Sequence, residues 1–217
     1  MWDFPFADPK WPGKTLLGGL LLLFWPLLLP LLLALGYLVA LTRMYALPTP
    51  ATAVLPAWRP WGQRLGEGAR LLAAILLYGW PVSLALSTLV VGPLVINGPL
   101  TGSAAAGYLV GLAVTLQHIG LAWTLVAVLL FPLHLRQVAA AQSWRQALSP
   151  ARLLRLLRAS WRALPMLWTK ELLLLLRSLS GLLIALVGFP FLLFWALLGV
   201  ARLAATLRDE NAAKLSD

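Results

Sequence analysis

Four side chains stand where they would do chemistry inside otherwise uncharged stretches: His118, Lys170, Glu171 and Arg177. An ionisable group at membrane depth is a functional candidate by default, because burying it unpaired is costly. His118, beside Gln117, is the one imidazole within the third apolar run. Its plainer reading is a neutral ring bonded to a carbonyl or hydroxyl of a neighbouring helix. Glu171 is the only acid between Glu67 and Asp209, with Lys170 beside it and Arg177 following seven residues past Lys170. On a helix that spacing puts both cations on one face, roughly 10 Å apart along the axis. The cluster would bind a lipid phosphate or gate a solute. The alternative leaves Lys170 and Glu171 at an interface and lets Arg177 snorkel. Enzyme signatures are missing: His118 and His134 are sixteen residues apart, and no His-Glu-x-x-His, Gly-x-Ser-x-Gly, Walker or dinucleotide fingerprint occurs. Catalysis, a bound metal and a cofactor are not expected.

The elements that position these residues are membrane spans. No charged residue lies between Lys14 and Arg43, and no Asp, Glu, Lys or Arg lies between Arg70 and Arg136. Both runs exceed the roughly 20 apolar residues that cross a hydrocarbon core. Spans are expected at 16–41, 71–96, 108–133, 164–187 and 190–207. Pro26 and Pro30 predict a kink or local break in the first, with a re-entrant hairpin as the alternative. A rival threading makes 150–178 one surface helix and 179–201 a single final span. Five spans are preferred because they place connections 43–70 and 134–163 and the Arg208/Lys214 tail on one side, leaving only Lys10 and Lys14 opposite. That side is the cytoplasmic one, and the fold expected is an all-α, polytopic, single-domain bundle.

Outside the spans the chain carries interface chemistry. Phe6 and Trp11 precede the first span, and Trp58 and Trp61 stand in a Pro-rich connection, so all four are expected at headgroup level. Residues 149–163 form a basic amphipathic helix: Arg152, Arg155, Arg158 and Arg162 recur every three or four residues, with Trp161 and leucines opposite. Ser149 before Pro150 reads as its N-cap. Such a helix anchors on a membrane surface beside anionic headgroups.

Composition excludes most other classes. Hydrophobic residues make up 61% of the 217 and charged ones 11%, too lopsided for a soluble core. The net charge of +10 has its explanation in juxtamembrane arginines, and no compact basic module with interleaved aromatics points to nucleic acid. With no cysteine, disulfides and thiolate chemistry are excluded. The first apolar run lacks the short core and small-residue cleavage site of a secretory signal, so it reads as a retained span.

Pro5-Phe6, Asp8, Trp11 and Lys14 lead into Leu17-Gly18-Gly19; Gly36-Tyr37-Leu38 closes the first span, and Leu55-Pro56, Trp58, Trp61-Gly62 and Gly68 precede the second. Over this first third the chain resembles the prokaryotic integral-membrane proteins catalogued as domain of unknown function 4013. The resemblance implies an architecture and no mechanism. The resulting expectation is a non-catalytic scaffold or accessory subunit of the cytoplasmic (inner) membrane, its partners an anionic bilayer and another membrane protein or itself. The alternative is a small transporter, channel or lipid-handling protein using the charge cluster of the fourth span.

Overall fold

The computed structural model describes residues 6, 8–24, 26–46, 55–96, 111, 115, 118, 126, 128–180 and 188–207. Among the described residues the regular structure is helical: α1 (Trp11–Leu23), α2 (Leu28–Tyr45), α3 (Trp61–Ile96), α4 (Val128–Ala139), α5 (Trp144–Ala147), α6 (Pro150–Ser160), α7 (Leu164–Ser178) and α8 (Gly188–Ala205). The chain divides into two compact units, 1–74 with 132–217, and 75–131. Two of the described helices, α2 and α8, are long and apolar enough to cross a membrane.

The first uncharged run is two helices. Pro26 has no N–H to give Leu22, and the chain turns between Phe24 and Leu27, with the Leu27 N–H bonded to the Phe24 carbonyl at 2.9 Å. Pro30 causes no second break, because it sits in the first turn of α2 where an N–H has no partner within the helix. The 13 residues of α1 reach only about 20 Å, while the 18 of α2 reach about 27 Å. The two run back on one another along α8. Gly19 faces Phe191 and Gly18 faces Phe194, whereas Tyr37 packs on Phe194 and Thr42 Oγ1 donates to the Ala201 carbonyl. α1 therefore descends α8 as α2 ascends it. Residues 16–41, read from sequence as one span, thus belong to a helical hairpin.

α8 is the platform of the first unit and packs against α1, α2 and α7. Every residue of α2 from Ala34 to Thr42 is buried, so its second half is enclosed on all sides. α7 lies antiparallel on α8, with Leu174 seated over Gly199 and the Arg177 guanidinium 5.9 Å from the Trp195 ring centre. α2 and α3 touch backbone to backbone. A Cβ on Gly36 would stand 1.8 Å from the Arg64 carbonyl oxygen, and one on Gly68 1.8 Å from that of Leu32.

α3 begins ten residues before the expected start of the second span. Residues 61–70 read as a polar connection, yet Gln63, Arg64, Glu67 and Arg70 repeat at helical spacing, and Gln63 and Arg64 bond to Glu67 along the helix. Ser149 caps α6 by accepting from the Arg152 N–H. Buried Gln137 ties α4 to that corner, donating to the carbonyls of Ala147 and Ser149 at 2.9 and 3.0 Å. Residues 97–103, most of the 108–133 run, 181–187 and the 208–217 tail lie outside the described residues.

Candidate functional site

The buried face of α7 is Leu164, Leu167, Glu171, Leu174 and Ser178, steps of three, four, three and four that turn one stripe toward α8. Glu171 therefore points into the bundle, with Oε2 buried and, among the described residues, without a hydrogen-bond partner. Lys170 is half-buried and Arg177 exposed, so Glu171 and its cationic neighbours diverge. Glu171 forms no ion pair with Lys170 or Arg177. His118 is helical and exposed in the second unit, 75–131. On α7, then, Glu171 is not gathered into one charge cluster with Lys170 and Arg177. Arg177 has different company: with Ser180, Trp11, Thr15, Phe191 and Trp195 it lines a largely apolar cavity of about 500 Å³.

The interfacial aromatics also divide. Phe6 is exposed and meets Trp11 edge to face at 4.7 Å, and Trp61 is exposed on the first turn of α3. Trp58 is not at a surface, contrary to its expected headgroup position. It is buried, stacked on Tyr37 at 4.1 Å and 6.1 Å from Phe194. The connection folds inward because an indole between two aromatic faces gains both burial and ring contact.

Two acids that sequence reasoning passed over hold the first unit together. Glu67 is buried, and both of its oxygens are engaged: Oε1 by Arg43 and by Gln63 at 3.0 Å, Oε2 by Arg64 at 3.0 Å. Arg43 Nε also donates to the Ala139 carbonyl at 3.0 Å, so one carboxylate links α2, α3 and the end of α4. The helical spacing of Gln63, Arg64 and Glu67 was the available signal. Asp8 accepts from Lys14 Nζ at 2.7 Å and from the N–H groups of Lys10 and Leu55 at 2.7 and 2.8 Å. Burial alone would raise its pKa, but these hydrogen bonds and the Lys14 charge outweigh that and hold it below the ordinary carboxylate value. Lys14 Nζ donates as well to the Leu55 carbonyl. The N-terminal segment therefore lies against connection 43–70, where the threading had put Lys14 on the opposite side. The hairpin at Pro26 is the reason.

The basic surface helix keeps most of its cations outward. Arg155 and Arg158 are exposed, and exposed Arg162 lies 5.4 Å from the ring centre of exposed Trp161 in the turn after α6. Arg152 instead turns inward, donating to the Ala140 carbonyl at 3.3 Å. Leu153, Leu156 and Ser160 are buried in protein, so the inner face of α6 is already occupied.

A family model described as protein of unknown function (DUF4013) matches residues 19–176. No curated protein and no solved structure matches the chain.

Proposed function

The chain belongs to the DUF4013 family, and from that premise we propose that it is a multi-pass protein of the cytoplasmic (inner) membrane, serving as a non-catalytic scaffold or accessory subunit of a membrane complex. The observation that carries this reading is the α1–α2 turn. Where a turn in water would be polar, Phe24, Leu27, Leu28 and Leu29 are 50–64% exposed. Such a tip belongs in hydrocarbon. With Lys14 beside Leu55, the hairpin enters and leaves by the same face as connections 43–70 and 134–163. The topology proposed is this re-entrant pair followed by four crossings at 71–96, 108–133, 164–187 and 190–207, and every connection rich in Arg then shares the cytoplasmic side. The non-catalytic part rests on Asp8 and Glu67, whose oxygens are spent on structural ties. The outer face of α7, where Met166, Leu172, Leu173 and Leu176 are exposed, is available to lipid or a partner helix. Gentle extraction from the native membrane is expected to recover the chain with a stoichiometric membrane protein or as an oligomer. Recovery solely as a monomer would overturn the scaffold role.

The cavity beside Arg177 favours a second reading, a small transporter or lipid-handling protein. One cation above an apolar chamber of about 500 Å³ suits an amphipathic anion. On this reading Arg177→Leu lowers solute flux or lipid uptake in liposomes, and an unchanged rate sinks it.

A further inference from the structure

A different cavity, of about 730 Å³, opens between the first turns of α3 and the segment that follows α4. Its lining includes Arg43, Gln63, Gly66, Glu67, Arg70 and Gln142. Arg64 stands behind it, bonded to Glu67. Arg43 and Arg64 thus share one carboxylate while Arg70 lines the same cavity, three positive charges against one negative, a local excess of two. Both Glu67 oxygens are engaged, so nothing acidic remains for Arg70. Among the described residues Arg70 forms no ion pair, and its Nε is buried without an acceptor. Its guanidinium is held 5.8 Å from the ring centre of Trp144, which fixes its position and leaves its donors unspent.

The wall of the cavity supplies an independent observation. Gly62 and Gly66 lie one turn apart on α3, and a Cβ on either would meet nothing within 4 Å. Neither glycine is needed for close packing. Each nonetheless costs a helix about 1 kcal/mol relative to alanine. What they leave is open space next to an unsatisfied arginine.

We propose that this cavity binds a phosphate group, held by Arg70 and Arg43 over the bare Gly62–Gly66 wall. A guanidinium presents paired donors that match tetrahedral oxyanions, and a neutralised Glu67 adds no repulsion. The phosphate belongs to a phospholipid headgroup or is free in solution. The cavity sits among the basic connections that the topology above places at headgroup level; only the lipid source rests on that topology, and the phosphate site stands without the scaffold role.

The test uses the full chain in nanodiscs. In discs of pure phosphatidylcholine, inorganic phosphate is titrated by calorimetry; in discs containing phosphatidic acid, retained lipid is counted by native mass spectrometry. Arg70→Gln removes the unspent donors, Gly66→Leu fills the space with all charges kept, and Arg158→Gln on α6 removes an exposed cation elsewhere. One of the two probes is expected to bind wild type and Arg158→Gln alike, and both cavity variants about tenfold or more weakly, the effect of losing a hydrogen bond to a charged group. Retention of phosphatidic acid without phosphate binding identifies the headgroup, and phosphate binding identifies the soluble source. Gly66→Leu decides the matter if Arg70→Gln does not fold. The proposal is overturned if the folded cavity variants match wild type with both probes, or if Arg158→Gln loses as much as they do.

Discussion

Replacing Glu67 with leucine is expected to lower the unfolding free energy by about 3 kcal/mol, at the lower edge of the range for breaking a buried ion pair from one side. Arg64 sets the scale. Its side chain is 10% exposed, so removing the carboxylate leaves a buried cation with one carbonyl acceptor, that of Ala57. Arg43 contributes less, because at 39% exposure it can turn to solvent. A loss of that size corresponds to a fall of roughly 6–12 °C in melting temperature for a chain of this length. Differential scanning fluorimetry in detergent measures it directly. The double variant Arg64→Met/Glu67→Leu is expected to recover much of the loss, since a matched apolar pair restores what a half-removed ion pair cannot. If Glu67→Leu melts with wild type, the three-helix tie carries no stability.

The second large effect is steric. Gly36→Ala and Gly68→Ala would each bring a methyl to 1.8 Å from a carbonyl oxygen of the facing helix, where about 3.3 Å is the near limit of such contacts. Backbones of two helices must separate by about 1.5 Å to relieve either, and neither Arg64 nor Leu32 can comply by a rotamer change. Each substitution is expected to cost about 3 kcal/mol, the upper part of the usual overpacking range. Separation of α2 from α3 also pulls Arg43 from Glu67, so Gly36→Ala combined with Glu67→Leu should cost less than the two summed. Gly62→Ala and Gly66→Ala provide the contrast within the same helix. With nothing near their Cβ positions, they are expected to raise stability by up to about 1 kcal/mol. Equal effects at Gly36 and Gly66 would show that α2 and α3 do not meet as described.

What could be read from sequence was what local physics decides. The Ser149-Pro150 start of α6 and its arginine spacing depend on contacts within one or two turns, and they are visible without a fold. Pro26 announced a break for the same reason. Trp58 was misplaced because its environment is made by Tyr37 and Phe194, twenty-one and 136 residues away in the chain. A Trp beside Pro and Arg has interfacial composition whichever way it faces. Glu67 was passed over because a lone acid among arginines resembles solvated surface until the helix that carries it is known to continue to Trp61. On α7 the helix geometry separates what the sequence places together. Closeness in sequence suggested a cluster of Lys170, Glu171 and Arg177, but neighbours on a helix point about 100° apart, and of the three only Glu171 follows the buried stripe.

The packing of α8 has a consequence for how the chain assembles. α1 and α2 are made well before the surface they both rest on, Phe191, Phe194 and Ala201 of α8. Until those residues exist, the notch at Gly18 and Gly19 lacks the two phenylalanines it receives, and among the described rings Tyr37 has Trp58 without Phe194. The bundle therefore closes like a clasp, with the α1–α2 hairpin waiting through the synthesis of everything between it and α8. Contacts so distant in sequence are slow to form and are the ones a truncated chain loses first.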